Sequence, residues 1–148
     1  MITKQDVLSD LTHKYCQYEI QLYSARYGEN GWLTQDKMNQ YFQSTPQKAA
    51  FSRLMYIART VNELYSPSDI AERLHMSRTA AHKLINETVA EGWVEHCCSE
   101  ANRKFYRAAD VLAENLEETT SWTHDKRNEL DVTDTDWLLL HIKKRERL

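Results

Sequence analysis

The chain has 148 residues, enough for one domain with its own hydrophobic core, and its three glycines and two prolines favour a mostly helical fold. Its 19 basic and 22 acidic residues give a formal net charge of −3, so the chain as a whole lacks the positive charge of a typical nucleic-acid-binding protein. No run of about eighteen apolar residues predicts a membrane span, and we expect a soluble cytoplasmic protein whose cysteines stay reduced.

The first predicted element is a long helix over residues 5–27. Large apolar residues recur along it at steps of three and four and therefore share one stripe, formed by Leu8, Leu11, Tyr15, Tyr18 and Leu22. This stripe either packs against its counterpart in a second subunit or closes the core of the monomer. We adopt the first interpretation and assign residues 1–45 to dimerisation. Cys16 lies on the same helix, either as an ordinary buried cysteine or as a redox-sensitive thiol.

Two more helices are predicted before residue 66. A turn containing Gly28 and Gly31 ends the first helix, and a short helix capped by Thr34 follows. Thr45 caps the next helix, and Pro46 fits its first turn because no N–H is needed there. The inner face of that helix is predicted to comprise Phe51, Leu54, Ala58, Val61 and Tyr65.

Residues 66–92 predict a helix-turn-helix. Ser66 can cap the first helix, and Ala71 lies where two crossing helices leave room only for a small side chain. Ser77 can cap the second helix, which should run to about Glu91 and stop at Gly92 because glycine takes a left-handed conformation cheaply. The buried contacts are predicted to come from Ile70, Leu74, Met76, Ala81 and Leu84.

A β-hairpin is predicted directly after the second helix. Its strands cover residues 93–98 and 104–107, around a polar tip at 99–103. Strand alternation would turn Cys97 and Cys98 to opposite faces. The order helix, turn, helix, hairpin predicts a mainly α fold with a small β-hairpin wing, a winged helix-turn-helix domain over residues 46–108.

Residues 109–148 are predicted to form C-terminal dimerisation helices. One runs from Asp110 to Asn128 with an apolar stripe of Val111, Leu112 and Leu116. Asp134 or Thr135 can cap the last helix. We expect its apolar residues to pack against the first helix, within the subunit or across a two-fold axis, because exposed they would be a liability. They include Trp137, Leu138 and Leu140.

The sequence of the helix-turn-helix and hairpin resembles the MarR family of bacterial transcription regulators. The resemblance lies in Ser77-Arg78-Thr79 through Gly92-Trp93-Val94-Glu95, with Asn102-Arg103-Lys104 at the hairpin tip, and covers about residues 51–107. It implies a homodimer on a pseudo-palindromic site in double-stranded DNA, more often a repressor. It also implies a binding site for a small aromatic effector between the dimer helices and the DNA-binding domain.

In such a domain the second helix enters the major groove and the wing reaches a minor groove. Arg78 and His82 are expected near bases, Thr79 and Lys83 nearer the phosphates, and Arg103 in the minor groove. The full set of predicted DNA-binding residues is Arg78, Thr79, His82, Lys83, Asn86, Asn102, Arg103 and Lys104. If Glu87, Glu91 or Glu100 neutralised the cations, a protein-binding adaptor would be favoured instead.

Other functions find less support in the sequence. Motifs typical of enzymes are missing, including a phosphate-binding glycine loop, a nucleophile elbow and a Cys-x-x-Cys pair, so we predict neither catalysis nor a cofactor or metal. A redox-sensing regulator using Cys16 stays an alternative. Aromatic residues of the first third either line the effector site or belong to core and interface: Tyr15, Tyr18, Tyr23, Tyr27, Trp32, Tyr41 and Phe42. The predicted location is the cytoplasm, in association with the nucleoid.

Overall fold

The computed structural model describes residues 2–31, 36–130 and 139–144. The elements in chain order are α1 (Lys4–Tyr27), α2 (Lys37–Gln43), α3 (Pro46–Thr60), α4 (Pro67–Arg73), α5 (Arg78–Ala90), β1 (Val94–Glu100), β2 (Arg103–Ala108) and α6 (Asp110–Asn128). Residues 139–144 are also helical. The chain divides into two compact units, one comprising residues 1–31 and 120–148 and the other residues 32–119. The predicted fold class, mainly α with one antiparallel hairpin, is confirmed.

Helix α1 begins and ends within one residue of its predicted bounds. Thr3 and Asp6 form a capping box in which each side chain accepts a hydrogen bond from the backbone N–H of the other. At the other end, the Gly28 N–H donates to the Ser24 carbonyl at 2.8 Å. Local capping chemistry therefore sets both ends of the helix.

The predicted apolar stripe of α1 is unevenly buried. Tyr18 is buried, whereas Leu8 is 37% exposed. The other three members, Leu11, Tyr15 and Leu22, are half-buried. Cys16 is exposed, so its interpretation as an ordinary buried cysteine is wrong. Dimerisation through this stripe stays a prediction.

Helices α2 and α3 follow the predicted pattern with two differences. Asp36 caps α2 by accepting the Met38 N–H at 2.9 Å, so the prediction of Thr34 as the cap is wrong, and Thr34 itself lies outside the described residues. Thr45 and Pro46 begin α3 as predicted. The helix ends at Thr60 because the chain turns into the left-handed region at Asn62, where φ is 54°.

Because α3 ends at Thr60, two residues predicted on its apolar face lie beyond the helix. Val61 is 58% exposed, so its assignment to the core is wrong. Tyr65 is buried, but it lies beyond the helix in extended backbone, and its carbonyl accepts the Tyr106 N–H at 3.4 Å. Tyr65 therefore pairs with the wing as a single-residue bridge.

The helix-turn-helix is confirmed. Ser66 and Asp69 form a capping box at the start of α4, with the Ser66 N–H donating to the Asp69 carboxylate at 2.9 Å. His75 makes the turn with φ at 53°, a left-handed conformation that glycine usually takes. Ser77 caps α5, and Gly92 beyond its end has φ at 78°. The predicted contact residues are buried or, for Leu74 and Met76, partly buried against the core.

The strands of the wing are longer than predicted, and the turn at its tip is shorter. Its turn consists of Ala101 and Asn102 alone, with φ at 48° and 65°, the pair of left-handed residues that a two-residue hairpin turn requires. A β-bulge interrupts β1, because His96 pairs with Tyr106 and Cys98 with Phe105. Cys97 is the extra residue of this bulge.

The core of residues 32–119 includes fully buried side chains from α3, α4, α5, β1 and α6: Phe51, Met55, Ile70, Ile85, Val94 and Leu112. Helix α6 has its predicted bounds, and the Asp110 carboxylate at its start pairs with Arg59 at 2.6 Å. Val111 is 47% exposed, so its place in the predicted apolar stripe is wrong. None of the described helices is long and apolar enough to cross a membrane.

The predicted last helix can be compared only in part. Leu140 is 54% exposed in the helical residues 139–144. Asp134, Thr135, Trp137 and Leu138 lie outside the described residues.

Candidate nucleic-acid interface

Helix α5 separates buried from exposed side chains. Its inner face, Ala81, Leu84, Ile85 and Thr88, is at most 6% exposed. The Thr88 hydroxyl donates to the Leu84 carbonyl at 2.8 Å, so this buried polar group is satisfied within the helix. The five predicted DNA-binding residues recur at steps of one and three and therefore share the opposite face. All of them are exposed: Arg78, Thr79, His82, Lys83 and Asn86.

The carboxylates closest in sequence to this face have other partners. The Tyr41 hydroxyl donates a hydrogen bond to Glu87, with 2.6 Å between the two oxygen atoms. Glu91 forms an ion pair with Lys37, whose Nζ lies 2.6 Å from a Glu91 carboxylate oxygen. Lys83 keeps a side chain that is 77% exposed, and its Nζ is 3.9 Å from a Glu87 oxygen, the long limit of an ion pair. Within the described part of the chain, Arg78 makes no hydrogen bond or ion pair.

Tyr41 has contacts that the sequence pattern did not indicate. Burial and the hydrogen bond to Glu87 raise the pKa of Tyr41, so its hydroxyl stays a donor to that carboxylate. The ring also lies 5.4 Å from that of Trp93, and the Lys48 ammonium lies 4.2 Å from the Tyr41 centroid. Tyr41 and Glu87 are 46 positions apart in the sequence, so no local pattern indicated the hydrogen bond between them.

The wing tip carries the other three predicted DNA-binding residues, Asn102, Arg103 and Lys104, and all are exposed. Glu100 is the register partner of Arg103, but the two side chains form no ion pair. Hydrogen bonds from Ser66 lower the pKa of Asp69, and the charge of Arg103 adds to this effect. The electrostatic influence of Arg103 therefore reaches the first turn of the helix-turn-helix.

Hydrogen bonds close the base of the wing and join it to α3. The Ala109 N–H donates to the Trp93 carbonyl at 2.9 Å, and Arg59 donates to the Ala108 carbonyl at 3.2 Å. Arg107 pairs with Glu95 across the strands at 2.8 Å. Both ends of the hairpin are therefore held close to the core on which α5 packs.

The remaining predicted site residues behave differently. Strand alternation had predicted opposite faces for Cys97 and Cys98, and this is wrong: their Sγ atoms are 3.1 Å apart, because Cys97 is the extra residue of the bulge. Among the aromatic residues, Phe42 belongs to the core, and Tyr23 and Tyr27 are exposed, with ring centroids 5.2 Å apart and ring planes tilted by 36°. Trp32 lies outside the described residues.

Comparisons with known proteins agree with this geometry. Residues 45–104 match the MarR family. The fold resembles that of MepR, a transcription regulator of the Staphylococcus aureus multidrug efflux pump MepA, at 11% identity and a TM-score of 0.56, over 99% of this chain and 98% of that one. A search of curated proteins returns no match.

Two further structures align with lower scores. The heme sensor protein PefR from Streptococcus agalactiae, in complex with heme, has 14% identity and a TM-score of 0.45, over 96% of this chain and 85% of that one. The multiple antibiotic-resistance repressor MarR from Listeria monocytogenes has 16% identity and a TM-score of 0.45, over 99% and 96%.

Members of the MarR family are transcription regulators and not enzymes. The family match covers the helix-turn-helix and most of the wing, the same elements that present the exposed cationic residues. Residues 45–104 therefore match the MarR family, and the chain has a winged helix-turn-helix fold.

Proposed function

We propose that the protein regulates transcription by binding double-stranded DNA as a homodimer in the cytoplasm, at nucleoid DNA, and represses by occluding a promoter. The observation that carries the proposal is the outer face of α5, where Arg78, His82 and Asn86 are exposed beside Lys83. This face contains no acidic residue from Arg78 to Asn86. An exposed helix face of this kind, with a wing beside it, suits a major groove.

Charge supports the same surface. Residues 66–107 contain six basic and six acidic residues, so their net charge alone does not favour DNA. The distribution of these charges favours DNA binding. Glu91 and Glu95 are paired with Lys37 and Arg107, and Glu87 accepts a hydrogen bond from Tyr41. The stretch of α5 from Arg78 to Asn86 carries two cations and no carboxylate, which favours a local positive potential there.

The residues have different roles in this proposal. Arg78, His82 and Asn86 carry groups that can bind base edges, and an Arg or Asn can do so through two hydrogen bonds. Thr79 and Lys83 bind phosphates and set the register of the helix. Arg103 enters a flanking minor groove, with Asn102 and Lys104 beside it at the backbone.

The proposed homodimer determines the spacing of the two DNA half-sites. Exposed apolar residues on α1 recur at steps of three and four, at Ile20, Tyr23 and Tyr27, and Leu8 is 37% exposed. Ile20, Tyr23 and Tyr27 lie on a different face of α1 from the predicted stripe, so the dimer is proposed through the stripe and the C-terminal residues, with Leu8 as its exposed member. Two lobes in successive major grooves need half-sites about 34–36 Å apart, so the operator should be a pseudo-palindrome. An aromatic effector and a redox role for Cys16 stay predictions.

The test is selection of a duplex from a random pool, followed by fluorescence anisotropy over a salt series. Arg78→Ala should weaken binding about 5- to 150-fold, the equivalent of about 1–3 kcal/mol for a base contact. Arg127→Ala removes the same charge from an exposed position on α6 and is the matched control. It should change affinity less than about twofold, as expected for a surface substitution.

Either of two results would contradict the proposal. One is wild-type affinity in both Arg78→Ala and Arg103→Ala, since the assigned surface would then not bind DNA. The other is a folded dimer that retains no duplex even at low salt, where phosphate contacts are strongest. That second result would favour the protein-binding adaptor.

A further inference from the structure

The bulge in β1 brings two thiols together. In a regular strand, adjacent side chains point to opposite faces, so two neighbouring cysteines are kept apart. Here Cys97 and Cys98 together oppose Phe105, and their Sγ atoms are 3.1 Å apart. A disulfide would need about 2.05 Å, and both cysteines are free. The backbone irregularity therefore creates a vicinal dithiol.

The surroundings of this dithiol limit what it can bind. Both cysteines are half-buried residues of the wing. Among the described residues, no group of three or more His, Cys, Asp or Glu side chains is placed to hold a metal ion. A zinc ion, which takes four ligands, would therefore find only two protein donors here among the described residues.

We propose that Cys97 and Cys98 bind a monosubstituted trivalent arsenical through both sulfur atoms. Trivalent arsenic forms bonds to three substituents. When one of the three substituents is an organic group, two thiols supply the other two. Inorganic arsenite has no organic group and calls for a third sulfur, which this site does not supply. The proposal concerns the dithiol alone and does not depend on DNA binding.

The binding step is balanced without an oxidant. An organic arsenoxide loses its oxygen while two arsenic–sulfur bonds form. The two thiol protons leave with that oxygen as one molecule of water, and arsenic stays trivalent. The product is a ring containing arsenic, both sulfur atoms and the chain that links the two cysteines. The 3.1 Å separation of the sulfur atoms allows one arsenic atom to bridge them.

Oxidation of Cys97 by peroxide is less favoured than this exchange. Peroxide is attacked by a thiolate, and burial together with the hydrogen bond to Cys98 raises the pKa of Cys97 to about 11. At neutral pH Cys97 is therefore almost entirely a thiol. In the arsenical reaction, the departing oxygen accepts the thiol protons.

Phenylarsine oxide is the probe, added in equimolar amount to the reduced full-length protein. After competition with excess glutathione, wild type and Cys16→Ser should each retain one phenylarsenic group by native mass spectrometry. Cys97→Ser and Cys98→Ser should release it at least about 100-fold faster, because a second bond made within one molecule gains a high effective concentration. A small 1,2-dithiol should remove the group from all four proteins.

A second measurement on wild type needs no substitution. Bound probe should protect both Cys97 and Cys98 from alkylation by iodoacetamide, while Cys16, which is exposed, should still react. Equal retention by the Cys97→Ser and wild-type proteins would overturn the proposal. So would alkylation of Cys97 or Cys98 at its unprotected rate in the presence of probe.

Discussion

Replacing Ile85 with alanine tests whether α5 packs as described. Ile85 is 1% exposed and belongs to the same buried cluster as Phe51, Met55 and Ile70. Truncation there leaves a closed cavity, and large-to-small substitutions of this kind cost about 2–5 kcal/mol. Because Ile85 is almost fully buried, we expect the upper half of that range, about 3–5 kcal/mol.

Leu84→Ala is the matched control for this prediction. Leu84 is also buried, at 6% exposure, but its side chain lines an open cleft with Lys48 and Met76. Solvent and flexible neighbours can occupy the space that alanine leaves, so we expect about 2–3 kcal/mol, the lower half of the range. Adjacent residues on one helix should thus differ by about 1 kcal/mol.

Urea unfolding followed by helical circular dichroism measures both changes. The midpoint should fall in each variant while the m-value stays constant. The series is repeated at several protein concentrations, because dimerisation adds a concentration-dependent contribution to stability. The reasoning is refuted if Ile85→Ala costs less than about 1 kcal/mol, or if it costs less than Leu84→Ala.

Three smaller predictions concern caps and turns. Ser66→Ala should lower the free energy of unfolding by about 0.5–2 kcal/mol in a urea titration, because the capping box of α4 is lost; a control Ser68→Ala should change little. The lowered pKa of Asp69 means that its contribution is complete above its ordinary pKa of 3.8 and is lost as pH falls through the folded value. The melting-temperature difference between wild type and Asp69→Asn should therefore shrink in acid; a constant difference would contradict this. Ala101→Asn should raise stability by up to about 1 kcal/mol, since asparagine tolerates the left-handed conformation better than alanine, and unchanged or lower stability would contradict the turn geometry.

The sequence predicted those features whose causes are local. Ser66, Ser77 and Gly92 mark helix ends through hydrogen bonds and backbone preferences that act within a few residues. The exposed face of α5 followed from helical periodicity alone. The helix-turn-helix, the bounds of α6 and the predicted DNA-binding face of α5 could therefore be identified without any knowledge of tertiary contacts.

Features that depend on distant residues were missed. The apolar spacing of α3 continues in phase to Val61 and Tyr65, yet the helix stops at Thr60 and Tyr65 pairs instead with Tyr106 in the wing. The bulge at Cys97 results from the register of two strands, which β1 alone does not determine. The hydrogen bond from Tyr41 to Glu87 also joins separate elements.

The bridge between Tyr65 and Tyr106 affects how the wing unfolds. A two-stranded hairpin alone is only marginally stable in water, and its amide protons would exchange rapidly. Here β2 is hydrogen-bonded to the segment that leads into α4, and Phe105 and Ala108 are buried. The inner half of the wing should therefore open together with the helix-turn-helix as one cooperative unit. Hydrogen exchange should show slow amides near Tyr106 and fast ones at Ala101 and Asn102, so that only the tip can adjust its shape without unfolding the domain.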